Sequence, residues 1–398
     1  MIKSPFFQKP KVMNPPGSDP IERRDTGTAG EPLKKPSLTL IASLVAALFV
    51  VAPPVEAQQA KRPNIVMKFL QSTLAAALVA LVAALVGTDA RAQDPLPSWN
   101  DGASKARIVA FVRGVTDAGG KDFVPAEDRI AVFDNDGTLW SEQPMYFQLA
   151  FAIDRAKGMV ARRPELAQSP AMRAAAAGDV KALAATGERG VVELVAITHA
   201  NTTADEFAGI VRDWVRTARH PVTGRPYTEM TFAPMRELLD YLRANGFRTY
   251  IVSGGGVEFL RVISRELYGV PPEQVVGSTI KSRYEVRDGR PVIVRLPEVD
   301  FVNDKAGKPI AIQKFIGKRP IAAFGNSDGD FEMLEWVTTG NAAALGLIVR
   351  HDDAEREYAY DRQSRVGRLS RGLDEAPQRG WTVVSMKRDW KLIYPPAR

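Results

Sequence analysis

The 398-residue chain has no cysteine at all. Disulfides, a thiolate nucleophile and cysteine-bound zinc are therefore excluded. Histidine is almost as scarce: His199, His220 and His351 lie far apart, too few and too scattered for the donor set of a zinc hydrolase. The net charge is +7, yet no lysine- or arginine-rich run is interleaved with stacking aromatics, so nucleic acid is not an expected partner. A basic globule of this kind attracts anionic small molecules or anionic envelope surfaces instead. Beyond the N-terminal quarter there is no long apolar run, and 45% apolar with 25% charged residues is ordinary for a globular protein long enough for two domains.

In that quarter, Met67-Lys68-Phe69-Leu70 opens an apolar run from Leu74 to Val86, followed by Ala90-Arg91-Ala92 before Gln93. A basic start, a short apolar stretch and an Ala-x-Ala site predict a signal peptide over 67–92, cleaved near Ala92, and a periplasmic or secreted product. The run is too short to span a bilayer comfortably, so the membrane enters only through the export signal. A similar pattern lies upstream, with Lys34-Lys35, an apolar run from Leu38 to Ala52, and Val55-Glu56-Ala57. Residues 1–66 are read as an overextended N-terminus, with a membrane anchor or a two-helix hairpin as alternatives. The Pro- and Gly-rich stretch from Met1 to Pro36 has no apolar period and is expected to be disordered.

The chemistry-bearing segments sit at the ends of apolar runs. Ala131-Val132-Phe133 stops on Asp134-Asn135-Asp136-Gly137-Thr138. Residues i and i+2 of an extended segment point the same way, so both carboxylates aim at one point and need a cation or a shared proton. An amphipathic helix over Met235–Asn245 precedes the β-rich Arg248–Val252, which ends in Ser253-Gly254-Gly255-Gly256, where glycines permit an anion to approach the backbone. Pro320–Phe324 is another buried-strand pattern and runs into Gly325-Asn326-Ser327-Asp328-Gly329-Asp330. Just before it lie Lys305 and Lys308, next to Pro309, a helix-start residue.

These segments, in this order, resemble the motifs of the haloacid dehalogenase-like hydrolase superfamily. The resemblance implies an α/β fold, a doubly wound, mostly parallel sheet with an inserted helical cap. It makes Asp134 the nucleophile and Asp136 the general acid/base. Thr138, Ser253, Gly254 and Lys308 would hold the phosphoryl group, Lys308 being preferred to Lys305 because it touches the helix start. The implied cofactor is Mg²⁺, held by Asp134, Asp136, Asn326 and Asp330. Asn326 departs from the usual aspartate; its carbonyl is still a hard oxygen donor but removes one negative charge, and Asp328 is a further candidate for that duty. Members that dehalogenate carbon lack an acid at the position of Asp136, so phosphate-ester chemistry is favoured. The arrangement is most similar to phosphoserine phosphatase-like members. The expected protein is an exported, Mg²⁺-dependent hydrolase of a small phosphomonoester, working through an aspartyl-phosphate. A carbon-halogen hydrolase of the same fold and a non-catalytic phosphate-binding envelope protein are the alternatives.

The remaining sequence sets the expected domains: a core over 93–142 and 232–398, and a helical cap over 143–231. Met145–Val160, Pro170–Thr186 and Thr203–Thr217 have helical spacing, and a lid that excludes water suits phosphoryl transfer. A helix is expected over Val257–Tyr268. A hairpin with an Asp288-Gly289 turn is expected over Arg283–Val294, and one more strand over Ala342–Arg350. His351, at that strand's end, is read as structural. The polar, aromatic-studded remainder carries no assigned element.

Overall fold

The strand that ends on Asp134 is short and wholly apolar: all four side chains of Ile130–Phe133 (β1) are fully buried, as a strand covered on both faces requires. The structure is a computed structural model that describes residues 94–396 apart from Ala342. The expected signal peptide over 67–92 and the segment 1–66 lie outside the described residues. Among the described residues no helix is long and apolar enough to cross a membrane.

Parallel neighbours flank β1 on both sides: Arg248–Gly256 (β2) and Ala322–Gly325 (β5). Beyond β2 come Val275–Arg287 (β3) and the antiparallel Arg290–Phe301 (β4). Beyond β5 come Leu345–Asp352 (β6), the short antiparallel Ala359–Tyr360 (β7), and Thr382–Ser385 (β8), which is parallel to β6. The sheet order is β4-β3-β2-β1-β5-β6-β7, an α/β, mostly parallel arrangement in which all functional strand ends share one edge. Phe133 stacks on Phe324 with ring centroids 4.3 Å apart, which locks β1 to β5 one residue before Asp134.

Between β1 and β2 the chain inserts Phe147–Arg162 (α2), Pro170–Ala177 (α3), Val180–Ala185 (α4), Gly187–His199 (α5) and Ala204–Thr217 (α6), after the N-terminal Ala103–Thr116 (α1). The single helix expected over Pro170–Thr186 is two, because Gly178 adopts φ +70° and ends α3 while the Asp179 side chain caps α4. The helix α5 lies where no helix was expected, between the expected Pro170–Thr186 and Thr203–Thr217. Thr203 and Glu206 form a reciprocal cap at the start of α6. Ala152, Met172 and Leu194 belong to a small cluster within the insertion, whereas Phe151, Phe207 and Val211 join the main core.

Ala233–Ala244 (α7) and Val257–Tyr268 (α8) flank β2 as expected, α8 stopping at Gly269 in the left-handed conformation. The hairpin turns at Asp288 (φ 49°) and Gly289 (φ 73°), but its strands run well beyond the expected limits. After β6, the segment left unassigned supplies β7, Arg371–Arg379 (α11) and β8. The four residues Thr382–Ser385 are too few to stand out as a strand, and parallel pairing with β6 makes them one.

Candidate active site

Asp134 emerges from β1 with its N–H donating to the Phe324 carbonyl at 2.9 Å. The turn that follows needs Gly137 at φ +72°; a Cβ there would run into the side chains of Asn326 and Glu142. This turn carries Asp136 to the same cavity as Asp134. Asp136 accepts a hydrogen bond from the Trp140 indole at 2.8 Å. Burial pushes the Asp136 carboxyl above the usual carboxylate range, and the indole bond opposes it. A raised pKa keeps a proton available, which an acid catalyst needs.

Lys308 ties three strands together. It lies in Gly307–Ala311 (α9), and its Nζ donates to Asp134 Oδ1 at 2.6 Å, Asp330 Oδ1 at 2.6 Å and the Val252 carbonyl at 2.9 Å. All three ammonium protons are used. Burial works against the charge, but the two carboxylates outweigh it and raise the Lys308 pKa. For Asp134, burial and then the Asp330 charge push the pKa well up, and Lys308 pulls the other way. Lys305 is exposed with φ 51° and takes no part.

Asp330 begins Phe331–Thr338 (α10) and accepts from the backbone N–H groups of Asn326 and Ser327, both at 3.0 Å. Its two oxygens thus pin the β5 loop to Lys308. Ser253 is fully buried at the β2 tip and its hydroxyl oxygen accepts from the Gly255 N–H at 3.0 Å; Gly254, Gly255 and Gly256 line the cavity. Asn303 fixes this tip by donating to the Ser253 carbonyl at 2.9 Å.

Ser253 and Asn326 are buried and do not line the cavity, and two further expected site residues are placed elsewhere. Thr138 is buried and donates its hydroxyl to Asn326 Oδ1 at 3.1 Å, so it braces the β5 loop and does not line the cavity. Asp328 accepts from the N–H groups of Ser370 at 3.0 Å and Gly372 at 2.9 Å and so anchors the start of α11. The short 3₁₀ turn over Asp328–Asp330 sends the first and last of its acids in different directions. Asn326 is 1% exposed; besides accepting from Thr138, its amide donates to Glu142 at 2.7 Å.

The cavity has a volume of about 460 Å³ and is also lined by Glu142, Tyr146, Gln148, His199, Glu258 and Arg295, none of which belongs to a motif. Burial pushes the Glu142 carboxyl up to about 8, against the pull of His351. The Gln148 amide meets His199 Nε2 at 3.0 Å, and its carbonyl accepts from the Gly256 N–H at 2.7 Å, joining α2 to the β2 tip. Burial, then Arg295 and Arg155, lower the His199 pKa to about 3. His351 is structural: Nε2 donates to the Gly137 carbonyl at 2.8 Å and Nδ1 to Glu357 at 3.1 Å. Among the described residues, no three His, Cys, Asp or Glu side chains converge as a metal cluster; a cation here would need neutral oxygens as well.

A mostly parallel sheet with paired aspartates at its central strand tip, a buried lysine behind them and an acid-bearing loop opposite defines one class of hydrolase. Residues 131–335 match the haloacid dehalogenase-like hydrolase family, and the chain belongs to it. The chain is 28% identical over 178 residues to phosphorylcholine phosphatase of Pseudomonas aeruginosa, covering 39% of this chain and 51% of the relative. The match thus spans about half the length of that relative. Similar solved structures include a functionally unknown protein from Anaerococcus prevotii (16% identity, 63% of this chain and 86% of that one, TM-score 0.43). Another is a phosphoserine phosphohydrolase-like protein from Francisella tularensis (15% identity, 63% and 98%, TM-score 0.33).

Proposed function

We propose that the protein is a phosphomonoester hydrolase in which Asp134 is the nucleophile and Asp136 the general acid/base. The observation that carries this is the Lys308 ammonium held 2.6 Å from both Asp134 and Asp330 at one end of the cavity. A lysine with every proton committed is a fixed positive charge, aimed where a phosphoryl group adds negative charge. Asp134 attacks phosphorus and becomes the aspartyl-phosphate; Asp136 protonates the departing oxygen and then takes a proton from the water that releases phosphate. Gly254 and the Ser253 hydroxyl offer donors to the phosphoryl oxygens.

The donor set fits Mg²⁺: it is oxygen only, and burial makes the carboxyls of Asp134 and Asp136 costly to ionise without a further cation. Asp134, Asp136 and Asn326 would hold the ion, with Asp330 as support because Lys308 and two N–H groups occupy its oxygens. The ion would supply positive charge to the phosphoryl group in addition to that of Lys308. Hydrolysis of p-nitrophenyl phosphate with and without EDTA, and mass-spectrometric trapping of phosphate on Asp134, test the reading. A folded protein that hydrolyses no phosphomonoester, or that turns over a haloacid without metal, refutes it.

We also propose that the enzyme is exported, with cleavage after Ala92. The basic start at Lys68, the apolar run to Val86 and Ala90-Arg91-Ala92 support this. N-terminal sequencing of protein recovered outside the inner membrane should read Gln93 first.

A further inference from the structure

Away from the aspartates the cavity is walled by aliphatic side chains from three sources. Val192 and Val195 come from α5, Ile280 and Val299 from the hairpin, and Val302 and Leu149 flank them. Val192, Val299 and Val302 are 44%, 44% and 60% exposed, an unusual cost for β-branched residues ringing one opening. Charge on the inner wall is already engaged. Arg295 lies 2.9 Å from Glu258, donates to the His199 carbonyl at 2.8 Å, and stacks over Phe207. His199 is neutral at physiological pH. The volume suits more than a bare phosphate.

We infer that the site prefers phosphomonoesters whose leaving group is an uncharged, apolar alcohol seated against α5 and the hairpin. This rests on the phosphatase reading. Asp304, exposed at the mouth, makes a cationic leaving group the sharpest competitor. The test compares kcat/KM for methyl, butyl and hexyl phosphate with phosphoserine and phosphocholine. Each added methylene should raise kcat/KM about three- to fourfold, and both charged esters should fall below butyl phosphate. A flat alkyl series, or a charged ester above butyl phosphate, overturns the inference while leaving the phosphatase reading intact. No turnover of any ester overturns both. Val195→Thr, nearly isosteric, should lower the hexyl-to-methyl ratio; an unchanged ratio counts against the inference.

A second, independent observation concerns Glu142. It is 2% exposed, and its Oε1 accepts from the Asn326 amide at 2.7 Å and the Tyr360 hydroxyl at 2.8 Å. Two glycines in the left-handed conformation, Gly137 at φ +72° and Gly367 at φ +65°, make room for it, since a Cβ on either would strike that oxygen. The chain thus carries a neutral amide where an acid is usual, bonded to a carboxyl on the wall it shares with Asp134 and Asp136.

The geometry points to Glu142 as a positioning residue that orients Asn326. Glu142→Leu removes the acceptor, whereas the carbonyl of Glu142→Gln can still accept from the Asn326 amide. Calorimetric titration with MgCl₂ should show Glu142→Leu at least about tenfold weaker than the parent. Glu142→Gln should stay within about threefold. Melting curves establish that each variant is folded. Unchanged Mg²⁺ affinity in Glu142→Leu, or Glu142→Gln as weak as Glu142→Leu, overturns the assignment. A parent that binds no Mg²⁺ overturns it together with the metal reading.

Discussion

Lys308 Nζ lies 2.6 Å from Asp330 Oδ1, and both side chains are almost wholly closed to solvent. Removing one member of such a pair leaves the other charge buried without its partner, which costs about 3–5 kcal/mol. Lys308→Met should therefore lower the urea midpoint strongly as well as abolish turnover. A variant as stable as the parent would show that the buried acids do not depend on this ammonium.

Asp134→Asn separates the two effects. The Asp134 pKa is raised above its unfolded value; the stability tied to its protonated form is therefore present at low pH and lost as pH rises through the folded pKa. An amide escapes that loss and can still accept from Lys308. Turnover should vanish while the melting temperature at neutral pH, measured in EDTA, rises, a trade of stability against activity seen at many catalytic sites.

Asp136→Asn should reduce kcat by roughly 10² to 10⁴-fold, the usual contribution of a general acid/base. The deficit should deepen as the leaving-group pKa increases. Equal deficits for p-nitrophenyl and alkyl phosphates would remove Asp136 from leaving-group protonation.

His199 gives the fold a defined acid sensitivity. Its folded pKa, about 3, lies below the ordinary imidazole value of 6.5, so between these values the unfolded chain binds a proton that the native state refuses. Stability is present above pH 6.5 and falls as pH drops toward 3. His199→Gln, which can still meet Gln148, should flatten the urea midpoint over that window; an unaltered slope would assign the sensitivity to other groups.

The strand-tip residues were readable because a strand's end fixes where its last side chains point: Asp134, Asp136 and Ser253 needed only the apolar runs before them. Lys308 was readable from its place at a helix start. Thr138 and Asp328 were not, since one residue of turn decides whether a side chain meets the cavity or the loop behind it. Glu142, Gln148, His199 and Arg295 left no local signal, because tertiary packing of the inserted helices and the hairpin brings them to the site. The nearest clue was a charge isolated in an apolar run, such as Arg295 after Val292-Ile293-Val294. Likewise β8 becomes a strand only through its partner β6.

Chain order adds a consequence for how the molecule is made. Lys308 and Asp134 are 174 residues apart, and the Asn100 side chain bonds to the Arg388 carbonyl 288 residues away. Trp99 packs edge-on against Trp390 with centroids 6.1 Å apart. Contacts of such separation close late and slow the folding step. A nascent chain that has already presented β1, β2 and β5 still leaves residues 347–350 of β6 without their outer partner until residues 382–385 arrive. The sheet is thus completed last at β8, after Lys308 and Phe324 have already supplied the hydrogen-bond partners of Asp134.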